Sequence, residues 1–104
     1  MTARQRLPNR RGSETFALRC AGLTYVATVS RFDDGRIAEI FLSNHKAGSQ
    51  ADTAARDSAI VASLALQFGA PLDVIQRALL RDPQGRASSP LGVALDLIAG
   101  GQQP

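Results

Sequence analysis

A chain of 104 residues, 44 % hydrophobic and with a formal net charge of +3, has room for one domain with a single modest core and none for a second. Its one cysteine, Cys20, excludes an internal disulfide and any multi-cysteine zinc or iron–sulfur site. A lone thiol also points to a reducing compartment, and the expected location is the cytoplasm.

Residues 1–12 read as a flexible basic arm. Arg4, Arg6, Arg10 and Arg11 lie in a stretch, residues 1–11, that has no acid, whereas residues 12–104 hold eight basic and nine acidic side chains. Pro8 and Gly12 discourage regular structure there. The opening residues MTARQRLPNRRGSE lack the apolar core of a signal peptide, and no apolar run is long enough to span a bilayer, so no membrane association is expected. From Thr15 the pattern changes. Phe16, Leu18 and Cys20 alternate with Thr15, Ala17 and Arg19, the period of two of a half-buried strand. Ala21-Gly22 makes a turn into a second strand over 23–32, which must run antiparallel to the first. Asp33-Asp34-Gly35-Arg36 is the clearest hairpin signal, because Asp-Gly readily takes positive φ, and a third strand over 37–43 follows.

Ser49, three residues before Asp52, marks a helix start, and the helix is predicted over 50–68. Its second half, 59–68, has Ser63 and Gln67 as its only polar side chains. Such a half-helix is expected to be covered from two directions, with Leu64 and Leu66 both inaccessible and Gln67 of little consequence. Gly69 and Pro71 separate it from a second helix over 72–80 or 81, with Leu72, Ile75 and Leu79 on one face. Asp82-Pro83-Gln84-Gly85 breaks that helix. A third spans 90–99, with Leu91, Ala94, Leu95 and Ile98 on one face, before a frayed tail over 100–104. The expected fold is α+β: a three-stranded antiparallel sheet followed by two or three helices packed on one face, the first helix central and buried, in a single domain over 13–99.

Chemistry is sparse. His45 has no second histidine near it and reads as an ordinary exposed side chain. Cys20 shares a strand face with Phe16 and Leu18, which favours a small buried hydrophobe over a nucleophile. Asp33, Asp34 and Glu39 suit a hairpin and its solubility. Lys46, Gly48 and Ser49 form the one candidate anion or nucleotide site, since free N–H groups at a helix start beside a lysine attract phosphate, although the full glycine-rich phosphate-loop pattern is missing. The arm arginines would grip a few phosphates weakly and with strong salt dependence, or strap an acidic protein surface. No catalytic residue, metal set or cofactor site is expected.

Several stretches, in order, resemble one family. They are Arg6-Leu7-Pro8 with Arg10 and Arg11, Ser13-Glu14-Thr15-Phe16, Gly22, Tyr25, Thr28-Val29, Asp34-Gly35, Glu39-Ile40-Phe41, Lys46, Gly48-Ser49, and Ser63-Leu64-Ala65-Leu66-Gln67-Phe68-Gly69 with Pro71-Leu72. Spread over residues 4–86, they are similar to the TSCPD domain near the C-terminus of vitamin B12-dependent (class II) ribonucleotide reductases, which also occurs as short stand-alone proteins. In that family the reduction relies on a thiyl radical, a redox-active cysteine pair and a cobalamin site outside this domain. One cysteine supplies none of these, and the letters of the domain's name are absent here.

The resemblance therefore implies a stand-alone, non-catalytic relative: an accessory or regulatory module that binds a protein partner, such as a ribonucleotide reductase, or a second copy of itself. The alternative is a module that binds nucleotide or nucleic-acid phosphate through the basic arm and the Lys46–Ser49 helix start.

Overall fold

The computed structural model describes residues 3–7 and 12–100. Arg10, Arg11 and most of the expected tail, 101–104, lie outside the described residues. The elements run β1 (Ser13–Cys20), β2 (Leu23–Arg31), β3 (Ile37–Asn44), α1 (Gln50–Gln67), α2 (Leu72–Ala78) and α3 (Pro90–Ile98). The strands form one antiparallel sheet in the order β1-β2-β3, so the α+β architecture expected from the alternating segments is the one observed.

β1 and β2 pair without interruption from Ser13↔Ser30 to Cys20↔Leu23, while the β2–β3 register shifts at Ser30/Arg31. The turn between β1 and β2 is tight enough to place Ala21 at φ 52 and Gly22 at φ 78. A left-handed alanine is unusual, and the two-residue connection requires it.

Leu18, Tyr25, Ala27, Val29, Ile40 and Leu42 point to the same side of the sheet and are buried against Ala55, Ala59, Ala62 and Leu66 of α1 and Leu91, Ala94 and Leu95 of α3. α1 lies against β3 and α3 against β1. The small alanines of α1 allow close approach to the strand, and Leu95 fills the space toward β1.

Ser49 caps α1, its Oγ accepting from the Asp52 N–H at 3.1 Å. At the far end Gly69 (φ 102) lets the Ala70 N–H reach the Ala65 carbonyl at 2.9 Å, and its own N–H donates to the Leu66 carbonyl at 3.1 Å. That pair of bonds is a Schellman stop. α2 ends at Ala78, short of the expected 80 or 81, because the chain at Leu79 is already extended. Arg81 then grips Asp96 of α3 with two bonds, at 2.7 and 2.9 Å, and Gln76 of α2 adds a third at 2.7 Å. The Arg81 guanidinium holds the Asp96 carboxyl below the usual range, with Gln76 helping.

Enclosure of α1 from two directions is not what the structure shows. Leu66 is buried at 5 % exposure, but Leu64 is 38 % exposed, and Gln67, expected to matter little, is only 2 % exposed. Apolar content alone predicts that greasy positions turn inward. Here the surface facing α1 includes the outer edge of β3, and that edge demands polar partners.

Candidate functional site

β3 is an edge strand, and its outward N–H and C=O groups need partners. α1 supplies them to Ala38, Ile40 and Asn44 from one face. The Ser63 Oγ accepts from the Ile40 N–H at 2.9 Å and donates to the Ile40 carbonyl at 3.1 Å. Gln67 Nε2 donates to the Ala38 carbonyl at 3.0 Å. Near the start of the helix, Asp52 Oδ1 accepts from the Asn44 N–H at 2.9 Å. Three polar side chains of a helix thus stand where a fourth strand would be. Spacings of 11 and 4 residues between Asp52, Ser63 and Gln67 keep them on one helical face.

The same Asp52 decides the fate of the expected anion site. Its Oδ2 accepts from the Gly48 N–H at 3.1 Å and from Arg56 Nε at 2.9 Å. Ser49 is committed to the helix cap, and the Lys46 N–H donates to Asn44 Oδ1 at 3.0 Å. Backbone donors from Asn44 and then Gly48, with Arg56 adding to them, hold the Asp52 carboxyl below the usual carboxylate range despite its burial. Of the three expected residues, Gly48 donates to a carboxylate of the chain itself, Ser49 accepts from the backbone of the same aspartate, and Lys46 is bonded through its N–H to Asn44. An incoming phosphate would meet that negative charge, so this geometry favours a completed cap over an anion pocket.

Of the arm arginines, Arg4 and Arg6 are described. Arg4 Nε donates to Gln67 Oε1 at 2.6 Å, the Gln5 N–H donates to the Gln67 carbonyl at 2.7 Å, and Arg36 Nη2 donates to Gln5 Oε1 at 3.0 Å. Residues 4 and 5 are therefore laid across the C-terminal end of α1, and Gln67 joins them to β3.

Beside these polar contacts the inner face of α1 also buries Ala55, Ala59, Ala62 and Leu66, and the second half of the helix turns further apolar side chains outward. Ile60 is 54 % exposed, Val61 67 % and Phe68 45 %, and together with Leu64 they form a stripe at helical spacing. The hint in the sequence was the pair Ser63 and Gln67, four residues apart in an otherwise apolar run. Read as interruptions of a buried face, they are in fact its working contacts.

Elsewhere the chemistry is quiet. Cys20 is half-buried, its Sγ 3.7 Å from the Ser88 carbonyl, and burial pushes the thiol up, away from the reactive thiolate. His45 is exposed in its loop. Among the described residues no group of histidine, cysteine, aspartate or glutamate is placed to hold a metal ion, and no helix is long and apolar enough to cross a membrane.

The TSCPD domain profile matches residues 2–99, nearly the whole chain. The chain belongs to the TSCPD domain family. Its relatives include the vitamin B12-dependent ribonucleotide reductase of Bradyrhizobium diazoefficiens, 37 % identical over 73 residues, which cover 70 % of this chain and 6 % of that protein. The enzyme of the same description from Agrobacterium fabrum is 40 % identical over 70 residues, covering 67 % of this chain and 6 % of the relative. This TSCPD chain thus spans about 6 % of the length of the curated relatives it matches. No solved structure matches it.

Proposed function

We propose that this TSCPD domain is a non-catalytic accessory or regulatory module that binds a ribonucleotide reductase in the cytoplasm. The outer stripe of α1 is its docking face and the basic arm its electrostatic strap. The observation that carries this reading is the stripe itself: Ile60, Val61, Leu64 and Phe68 are all exposed, contiguous and free of charge. Contiguous exposed apolar patches on soluble domains are often contact surfaces. The relatives support the choice of partner, because each carries its matching segment within a much longer reductase chain. The module contributes contacts, and the chemistry belongs to the partner.

The test is binding of the full chain to a purified vitamin B12-dependent reductase by interferometry. The expected result is saturable binding that Val61→Asp with Leu64→Asp weakens at least about tenfold, or roughly 1.4 kcal/mol. Both positions face solvent, so the double variant keeps its fold. A reductase that ignores the protein, or binds the double variant equally well, rejects the proposal. The phosphate reading is less favoured, given the engaged donors around Asp52. Nucleotide binding at low salt that is lost on Lys46→Ala would restore it.

A further inference from the structure

We infer that the free edge of β1 is a self-association surface, on which a second copy of this chain adds its own β1 to give one continuous six-stranded sheet. This goes beyond reductase docking and uses a different part of the molecule.

The parity of the sheet fixes which groups of β1 are free. Ile40 turns its N–H and C=O toward Ser63 and therefore away from β2. Its partner Val29 then faces β1, and Glu14, paired with Val29, faces back. Ser13, Thr15 and Ala17 accordingly point their backbone groups outward. Among the described residues no other backbone bonds to them. Natural edge strands are usually guarded by a proline, a bulge or a covering segment. β1 has no proline and keeps unbroken register over all its 8 residues.

What covers this edge must also fill a notch beside it. Phe16, Leu97 and Ile98 pack against the core yet stay only partly buried. With Glu14, Ala17, Val29 and Arg31 they line a recess between α3 and the β1–β2 pair. A second copy fits it by symmetry. If Thr15 pairs with Ala17 of the second copy, and Ala17 with its Thr15, the two-fold axis passes between the two Phe16 rings. They become a directly opposed, non-hydrogen-bonded cross-strand pair, the closest kind. Each ring then closes the notch of the other copy. In this register Glu14 faces Leu18 of the second copy, so no like charges oppose each other across the inner face.

Sedimentation of the full chain over roughly 1 μM to 1 mM is the first measurement. The expected result is a reversible dimer of twice the 11.0 kDa chain mass. Amide hydrogen exchange at Thr15 and Ala17 should slow at least about tenfold in the concentrated sample, while Phe16 and Leu18, already bonded to β2, stay unchanged. Ala17→Pro removes an outward N–H without touching the β2 ladder, and should give a monomer. If that variant fails to fold, the exchange measurement decides alone. A monomer at every concentration overturns the inference. So does a dimer whose Thr15 and Ala17 amides stay fast, or one dissolved by Val61→Asp with Leu64→Asp and kept by Ala17→Pro.

Discussion

The two faces of α1 differ less in polarity than those of a surface helix usually do. Toward the protein it presents Asp52, Ser63 and Gln67, all buried and all bonded to backbone, interleaved with alanines and Leu66. Toward solvent, in its second half, it presents Ile60, Val61, Leu64 and Phe68. The difference teaches that burial follows what the neighbouring surface lacks. A sheet face lacks apolar cover, whereas a sheet edge lacks hydrogen-bond partners, and α1 lies where both needs meet.

Substitutions can break this contrast at graded cost. Leu66→Ala should be the most damaging, about 3 kcal/mol by urea denaturation, because it empties a packed position beneath the sheet. Next comes Asp52→Asn, which keeps the shape but puts a donor where donors converge. The folded-state pKa of Asp52 is depressed, so its contribution is complete above the unfolded value of about 3.9 and is lost as pH falls through the folded value. The stability gap between Asp52→Asn and the parent should therefore be flat near neutrality and narrow below about pH 4.

Ser63→Ala leaves the N–H and C=O of Ile40 unpaired in a buried setting and should cost about 2 kcal/mol; Gln67→Ala, which frees the Ala38 carbonyl and the contact to Arg4, should cost slightly less. Leu64→Ala should be the mildest, below about 1 kcal/mol, despite its chemical identity with the change at Leu66. Equal losses at Leu64 and Leu66 would sink this description of α1.

Much of the fold was legible in the residues themselves. Period-two alternation in β1, the Asp34-Gly35 turn, the Ser49 cap and the Gly69 stop are all local signals, and each placed an element boundary close to the observed one. The interior of α1 was not legible in the same way. Periodicity states which side chains share a face but not what that face meets, so it predicts an inaccessible Leu64 and an inconsequential Gln67, where the structure exposes the first and buries the second. The Lys46–Ser49 loop was misleading for a related reason. Its donors are real, yet the chain itself fills them: the Gly48 N–H is taken by Asp52 and the Lys46 N–H by Asn44. Arg4 and Gln5 could not be placed at all, because their partner is a glutamine more than sixty positions away.

The blocked flank of β3 carries a consequence for assembly. A sheet open on both sides can recruit neighbours endlessly and grow into fibres, whereas one plugged by three helical side chains has a single place to extend. Under the β1 pairing proposed above, nothing would remain to add to, and growth would stop at a closed pair.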